Sequence, residues 1–275
     1  ISIDDDDIFV YPYIFMTGHR GIRLSKTQTN RLREYIERGG FIHAEDCDIR
    51  LNGGRGFMRP SVHRLMEQLF PSKKFERLDL SHPISNEMTT YPSDPNVIIV
   101  REKEINSDRT LLHRFTMGTH TGTHLDAPAH IISGGKTLDD FPLSSFTGKT
   151  VKVDFNSISE LDKVDGIIFD SNWYRKFKEP EIYFGSDRPE IPKHLVKKAI
   201  EMGIKYFGCD LPSVDVSGSK DKPIHNALLG ANIIVYESLT NLNQLPLLTP
   251  FKFFGFPLPF VGLDGSPVRA IGVIH

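Results

Sequence analysis

Apolar residues near the start of the chain fall in a pattern that predicts a strand, a helix and a second strand. The run 8–16 is mostly apolar and predicts a strand that Pro12 interrupts. Apolar positions with helical spacing predict a helix over 26–38, which two glycines end, and 41–44 is a second short apolar run. A further helix is predicted over 60–70. Because a strand–helix–strand order is typical of a parallel βαβ unit, we expect the chain to open with a partial βαβ sheet.

Further along the chain, apolar runs alternate with amphipathic stretches. Short apolar or β-branched runs bounded by turn residues predict strands at 77–84, 97–100, 150–154, 166–170, 206–209 and 233–237. Helices are predicted over 192–202 and from Pro223 onward. This alternation predicts an α/β fold. We expect a new unit to begin near Phe75, which divides the chain into two domains, 1–75 and 76–275.

Composition excludes several classes of partner. The chain has 275 residues, and its 33 lysines and arginines nearly balance its 35 aspartates and glutamates, which argues against nucleic acid or a membrane surface as the main partner. No apolar run approaches the roughly eighteen residues of a membrane span, and no signal-peptide pattern follows Ile1. Cys47 and Cys209 are far apart and form no CxxC motif. A reduced compartment is the default for such a chain, so we expect a cytoplasmic protein.

The stretch 120–130 carries the densest set of candidate chemical groups and reads His-Thr-Gly-Thr-His-Leu-Asp-Ala-Pro-Ala-His. Four side chains able to bind a metal or transfer a proton all stand at even positions, namely His120, His124, Asp126 and His130. In an extended segment alternate side chains share one face, so all four would point the same way. Imidazole and carboxylate are the usual ligands of zinc, manganese and similar divalent ions. The stretch therefore predicts a metal site.

Two other interpretations of this stretch are weaker. His120 and His124 have the i, i+4 spacing of a helical zinc site. However, Thr121–Thr123 and Pro128 make a poor helix interior, and no glutamate follows His120 to act as a base. A structural polar cluster would be the better interpretation of any single histidine, but the alternating set of four favours a metal.

Two later residues are candidates with an equally simple alternative. Glu237 ends the apolar run 233–237, where burial without a partner would be costly and a cation would remove that cost. An exposed strand end explains Glu237 as well. His225 stands in the first turn of a short helix, where a surface histidine is the simpler interpretation.

The stretch 120–130 resembles the signature of the bacterial kynurenine formamidase and cyclase-like metal-dependent hydrolase family. Further matching pieces follow in the expected order: Asp79–Ile84, Tyr91–Asp94, Gly208–Asp215, His225, Glu237 with Asn241–Leu242, and Pro267–Ile271. The resemblance covers about residues 76–275. It implies a cyclase-like swivelling β/β/α hydrolase domain, in which a barrel-like sheet has flanking helices, and a homodimer or homotetramer.

The same resemblance implies roles for individual residues. One or two divalent ions per subunit, zinc or alternatively manganese, would be held by His120, His124, Asp126, His225 and Glu237. Asp126 and Glu237 would be the bridging ligands, and His130 would be the proton donor and acceptor.

Two aromatic residues bear on the substrate that the resemblance implies. Tyr91 aligns with a position near the substrate at which kynurenine formamidases are expected to carry tryptophan, and this departure leaves the substrate open. The one tryptophan of the chain, Trp173, lies in Ser171–Tyr174, where the family more often shows a Thr-Gly-Trp-like stretch, and a pocket role is the expectation for it.

Residues 5–80 resemble part of a bacterial domain family of unknown function with a flavodoxin-like core. The matching pieces are Tyr11–Tyr13, Thr17–His19 and Leu32–Ile42. A half-sheet leaves an open edge that must be covered. We therefore expect the segment to pack onto the next domain, or the chain to join halves of different origin, and no chemistry is assigned to it.

Three functions are consistent with the sequence. The first is a metal-dependent amidohydrolase that cleaves an aryl formamide such as N-formylkynurenine with a metal-activated water. The second is a related hydrolase or cyclase for another small cyclic amide or ester. The third is a non-catalytic metal-binding or assembly protein. His130 argues against the third, because a structural metal site needs no spare proton carrier.

Overall fold

The computed structural model describes residues 3–10, 13–18, 24–46, 69, 76–157 and 161–274. The chain divides into two compact units, Ile1–Phe75 and Glu76–Ile274. That these units are domains of separate origin stays a prediction. Among the described residues, no helix has both the length and the apolar character needed to cross a membrane.

The first unit contains two parallel strands joined by a helix. A 3-10 helix at Asp6–Val10 precedes β1 (Tyr13–Gly18), α1 (Lys26–Glu37) and β2 (Phe41–Asp46). β1 and β2 pair in parallel from Tyr13 opposite Phe41 to Gly18 opposite Asp46. The predicted βαβ order is therefore present. The predicted helix over 60–70 lies outside the described residues, except for Leu69.

Two local features explain the ends of these elements. The strand predicted over 8–16 is wrong at its start, because Asp6–Val10 is a 3-10 helix and the strand begins only after Pro12, which has no backbone N–H for a ladder. α1 begins at a capping box, in which Ser25 and Gln28 each accept a hydrogen bond from the other's backbone N–H.

The second unit is built on a nine-stranded sheet with the order β12-β6-β10-β9-β8-β7-β11-β13-β3. Its strands are β3 (Glu76–Asp79), β6 (His124–Asp126), β7 (Thr147–Val153), β8 (Gly166–Phe169), β9 (Tyr206–Cys209), β10 (Ile234–Glu237), β11 (Phe251–Phe254), β12 (Gly265–Pro267) and β13 (Ile271–Ile274). β4 (Ile98–Lys103) and β5 (Leu112–Thr116) form a separate antiparallel hairpin. The central strands β7, β8, β9 and β10 are parallel, and the outer pairs are antiparallel. An antiparallel bridge from Ser81 to Leu239 links the residues after β3 to those after β10, so the sheet curls.

Both faces of the central sheet are covered. The helices are α2 (Ile105–Asp108), α3 (Pro180–Tyr183), α4 (Lys193–Met202) and α5 (Pro223–Gly230). Ile167 and Phe169 of β8 pack into the cluster that contains Leu195 and Ala199 of α4, whereas Ile168 packs into a cluster on the opposite face. Since alternate strand residues point to opposite faces, burial on both sides explains why these strands read as continuous apolar runs. The predicted α/β class is confirmed.

Candidate metal centre and active site

The motif stretch is extended over only a small part of its length. Only His124–Asp126 forms a strand, and Pro128–His130 is a 3-10 turn. His120 precedes a turn at Gly122, whose φ of 60° is readily adopted by glycine. The expectation that one extended segment aims all four side chains the same way is therefore wrong in its geometry. They still converge, because the turn and the 3-10 helix bring His120 and His130 back towards β6.

Strand pairing brings the distant candidates to the motif. β6 lies between β10 and β12, and His124 stands opposite Glu237 in the β6–β10 register. His225 lies in the first turns of α5 and is 3% exposed, so the surface interpretation of this residue is wrong. Glu237 is 4% exposed, which also excludes an exposed strand end.

Five side chains form one compact group of nitrogen and oxygen atoms, which we call the His–carboxylate cluster: His120, His124, Asp126, His225 and Glu237. Asp126 Oδ1 lies 2.7 Å from His120 Nδ1 and 3.4 Å from His124 Nε2, and Asp126 Oδ2 lies 3.5 Å from His225 Nε2. Glu237 Oε2 is 3.5 Å from His124 Nε2, and Glu237 Oε1 is 3.2 Å from His225 Nε2. The ligand atoms of His124, Asp126 and Glu237 lie within 4.8 Å of one another.

The cluster meets the requirements of a cation site. Asp126 and Glu237 are almost completely buried, and Asp126 Oδ2 has no hydrogen-bond partner among the described residues. Burying two carboxylates side by side without a counter-charge is costly. Neutral imidazole and carboxylate are the donors that zinc and manganese use in proteins. The residues present therefore fit a divalent metal ion.

The pKa values of the cluster also indicate that its two buried carboxylates need positive charge beside them. Burial would lower the pKa of His124, but its hydrogen bonds to Asp126 and Glu237 and their charges raise it to about 10. Burial and the charge of Asp126 would raise the pKa of Glu237, but His225 and His124 hold it at about 2. Without a metal ion, protons on the histidines balance the carboxylates. Since metal binding requires neutral imidazole, a bound cation would replace those protons.

Neighbouring groups orient the ring nitrogens towards the cluster. Asp215 Oδ2 lies 2.7 Å from His225 Nδ1, and the carboxylate of Asp215 also accepts the backbone N–H groups of Ile224 and His225. The carbonyl oxygen of Gly122 is 2.8 Å from His124 Nδ1. In both histidines this leaves Nε2 facing the carboxylates, which is the outer-shell arrangement common around metal-binding histidines.

His130 lies beside the cluster rather than within its tightest part. Its ring centroid is 4.1 Å from that of His120 and 5.7 Å from that of His225. His130 Nδ1 is 3.2 Å from Oδ2 of Asp264, and the same oxygen is 2.8 Å from His120 Nε2. Burial lowers the pKa of His130 and the charge of Asp126 opposes this, so the net shift favours the neutral imidazole.

Two carboxylates of this region were missed by sequence reasoning. Asp215 stands inside the matching piece Gly208–Asp215, and Asp264 stands three residues before the piece that begins at Pro267. Their nearness to those pieces was the available signal. No local pattern links Asp264 to His120, because 144 positions separate them.

A small cavity opens beside His120 and His124, with about 20 Å³ of space for a water molecule. It is lined by Thr89, Tyr91, His120, Gly122, His124, Phe177, Tyr183, Phe184, Pro212 and Ser238. The ring of Tyr91 meets that of Phe184 edge to face, with centroids 5.3 Å apart. The cavity therefore has aromatic walls and places the histidines at one side.

Trp173 is not among the residues that line this cavity. Its indole Nε1 donates a hydrogen bond to the carbonyl oxygen of Tyr183 at 3.0 Å, and the side chain packs against the core cluster that contains Leu195. Trp173 thus supports Tyr183, which does line the cavity, and a pocket role for Trp173 itself stays a prediction.

Comparison with known proteins places this geometry in a family. A family model described as a domain of unknown function, DUF4159, matches residues 1–163, more than half of the chain. A kynurenine formamidase of Salinibacter ruber is 30% identical over 204 residues, which cover 70% of this chain and 95% of the relative. A kynurenine formamidase of Geobacillus thermodenitrificans is 32% identical over 205 residues, with the same two coverages.

Solved structures share the fold at lower sequence identity. Isatin hydrolase A from Labrenzia aggregata has a TM-score of 0.66 and 21% identity, and the match covers 78% of this chain and 99% of that one. A structure described as a predicted metal-dependent hydrolase from Bacillus stearothermophilus has a TM-score of 0.60 and 21% identity, covering 73% and 99%. The fold is thus that of the cyclase-like metal-dependent hydrolases.

Within that class, the chain belongs to the kynurenine formamidase family of metal-dependent amide hydrolases, and its first 163 residues belong to the DUF4159 family. The resemblance predicted from the motif is confirmed. The flavodoxin-like core predicted for the first segment stays a prediction.

Proposed function

We propose that the chain hydrolyses the amide bond of an aryl formamide such as N-formylkynurenine, using one or two divalent metal ions. The observation that carries this proposal is the buried His–carboxylate cluster beside a cavity with aromatic walls. The relatives named kynurenine formamidase support the choice of substrate.

The proposed ligands are the five members of the cluster, with zinc as the metal and manganese as the alternative. When bound, such an ion polarises an amide carbonyl and lowers the pKa of a coordinated water towards neutrality. Asp126 turns one oxygen to His120 and His124 and the other to His225. Glu237 likewise divides its two oxygens between His124 and His225. This division supports bridging roles for both carboxylates.

His130 is the proposed proton carrier. Because burial lowers its pKa and favours the neutral imidazole, it can accept a proton from the attacking water and deliver it to the leaving nitrogen. The products are formate and the free arylamine. Tyr91 is the proposed substrate-binding residue, because its ring lines the cavity and packs against Phe184.

Turnover of N-formylkynurenine by the metal-loaded protein tests this function. Formate and arylamine are expected in equal amounts, and a chelator should stop their release. The second candidate, hydrolysis of a cyclic amide, is favoured by the structural likeness to isatin hydrolases, so isatin is the matched second substrate. Turnover of isatin alone would select this candidate. A metal-loaded protein inactive on both substrates would contradict the proposal and favour a non-catalytic role.

We also propose that the protein is a homodimer or homotetramer. The β4–β5 hairpin exposes Ile98, Leu112 and Phe115 by 52%, 49% and 59%. A two-stranded hairpin is marginally stable by itself in water, so a second copy that covers these side chains would stabilise it.

We also propose a cytoplasmic location. The two cysteines lie far apart in the sequence, and a reduced compartment is the default for such a chain.

The double variant Leu112→Asp/Phe115→Asp tests the role of the hairpin. It is expected to shift the native mass towards that of the monomer, since charged side chains oppose burial in an interface. Sedimentation equilibrium of wild type and variant gives the masses. Leu247→Asp, at another exposed apolar residue, is the control and should leave the mass unchanged. A variant with the wild-type oligomeric mass would exclude the hairpin from the interface.

A further inference from the structure

Asp264 has a fixed place beside the proposed active site. It directly precedes β12, and its carbonyl oxygen accepts a hydrogen bond from the backbone N–H of Ala127 at 2.8 Å. Since Ala127 follows β6, the backbone of Asp264 is tied to the strand that carries His124 and Asp126. The Asp264 carboxylate is about a third exposed, in contrast to the almost completely buried carboxylate of Asp126.

One oxygen of Asp264 contacts two histidines with different proposed roles. Oδ2 lies 2.8 Å from His120 Nε2 and 3.2 Å from His130 Nδ1. An ionised carboxylate only accepts hydrogen bonds, so Nε2 of His120 and Nδ1 of His130 must both donate to it. A neutral imidazole carries one N–H, and the position of that proton decides which nitrogen keeps its lone pair.

We infer that Asp264 is a positioning residue that selects the tautomers of His120 and His130, and this inference rests on the proposed function. In His120, Nδ1 faces Asp126 Oδ1 at 2.7 Å and donates to it when no metal ion is bound. In the metal-loaded protein, donation from Nε2 to Asp264 would leave the lone pair of Nδ1 available to the ion. In His130, donation from Nδ1 leaves the lone pair on Nε2, which can then accept a proton. A single carboxylate thus couples a metal ligand to the proton carrier.

The backbone next to Asp264 restricts the same ring. A Cβ atom at Gly265 would lie 2.6 Å from Cε1 of His120, so the His120 ring packs directly against the backbone at this glycine. The ring is therefore restrained from one side by backbone and at Nε2 by the carboxylate of Asp264. The tautomer and the orientation of His120 are set by adjacent residues of one short segment.

The variants Asp264→Ala and Asp264→Asn test this inference on the zinc-loaded protein. Two-bond ¹H–¹⁵N spectra of the histidine rings report the tautomers, with signals assigned from His130→Asn and His120→Asn. In wild type, His130 should be protonated at Nδ1, and in Asp264→Ala this preference should be lost. Zinc affinity, measured by competition with a chelator, should fall by roughly 10–100-fold, the effect typical of losing an outer-shell partner. Asp264→Asn keeps an acceptor oxygen in the same place and should restore part of both properties.

Asp139→Ala is the matched control. The carboxylate of Asp139 accepts the backbone N–H of Gly262 at 2.9 Å, so it holds the same loop without contacting either histidine. This variant should leave the tautomers and the zinc affinity unchanged. Wild-type His130 protonated at Nε2, or unchanged tautomers and zinc affinity in Asp264→Ala, would overturn the inference. Because neither readout uses turnover, such a result differs from failure of the proposed function, which wild-type protein inactive on formamides would show.

Discussion

Asp126→Ala is expected to abolish metal binding and amide hydrolysis together. The two oxygens of Asp126 contact three histidines of the cluster, which is more than any other carboxylate in the site. Asp126 is also fully buried, so no water can take the place of the lost oxygens without entering the core. Removing the side chain leaves Glu237 as the remaining carboxylate of the cluster. The site then lacks one negative charge and two of the oxygen atoms that could bind a divalent ion.

Elemental analysis of the purified variant measures the effect directly. Metal content should fall from about one or two equivalents per chain to near zero, and turnover should fall to background. Asp165→Ala is the control. Oδ1 of Asp165 pairs with Nζ of Lys205 at 2.9 Å, and this ion pair involves no residue of the His–carboxylate cluster. Full metal occupancy in Asp126→Ala would show that Asp126 is not a ligand.

His130→Asn is expected to keep the metal and lose most of the turnover. The His130 ring contacts Asp264 and lies tilted beside that of His120, and its nearest ring nitrogen lies within 4.8 Å of an oxygen of Asp126. Because His130 contacts Asp264 and not Glu237, we expect the five members of the cluster to keep the ion in this variant. Asparagine is similar in size and can still donate a hydrogen bond to Asp264, yet it cannot accept and return a proton. Loss of general acid–base catalysis typically lowers the rate by about 10²–10⁴-fold.

The kcat of His130→Asn, normalised to its metal content, is the decisive measurement. His194→Asn is the control, since His194 is an exposed histidine on α4 with no part in the site. A kcat equal to that of wild type, at equal metal content, would remove His130 from the mechanism. A loss of metal in parallel with the loss of turnover would instead make His130 a ligand.

The elements of the sheet were predictable where burial is two-sided. Gly166–Phe169 and Tyr206–Cys209 were predicted from apolar runs and are confirmed as strands, because residues that face either core must be apolar. α1 and α4 were predicted from helical spacing for a similar reason. The prediction failed at 8–16, where an apolar run covers a 3-10 helix and part of a strand, since apolar character alone does not specify backbone geometry.

The site was predictable in its chemistry but not in its shape. Local spacing singled out His120, His124, Asp126 and His130, yet the extended conformation from which their convergence was argued extends over His124–Asp126 alone. The turn at Gly122 and the 3-10 helix at Pro128–His130 are short, and neither has a periodic signal. His225 and Glu237 looked like surface residues or strand ends when each was considered by itself.

The sequence by itself determined the family, the α/β class and the kind of ligand atoms, because these depend on residue identity over short stretches. Tertiary structure alone decided which distant side chains meet. Pairing of β6 with β10 puts Glu237 beside His124, and pairing of β6 with β12 puts Asp264 beside His120. Such contacts depend on strand order and register. These are set by packing of the whole sheet, so no short stretch of sequence specifies them.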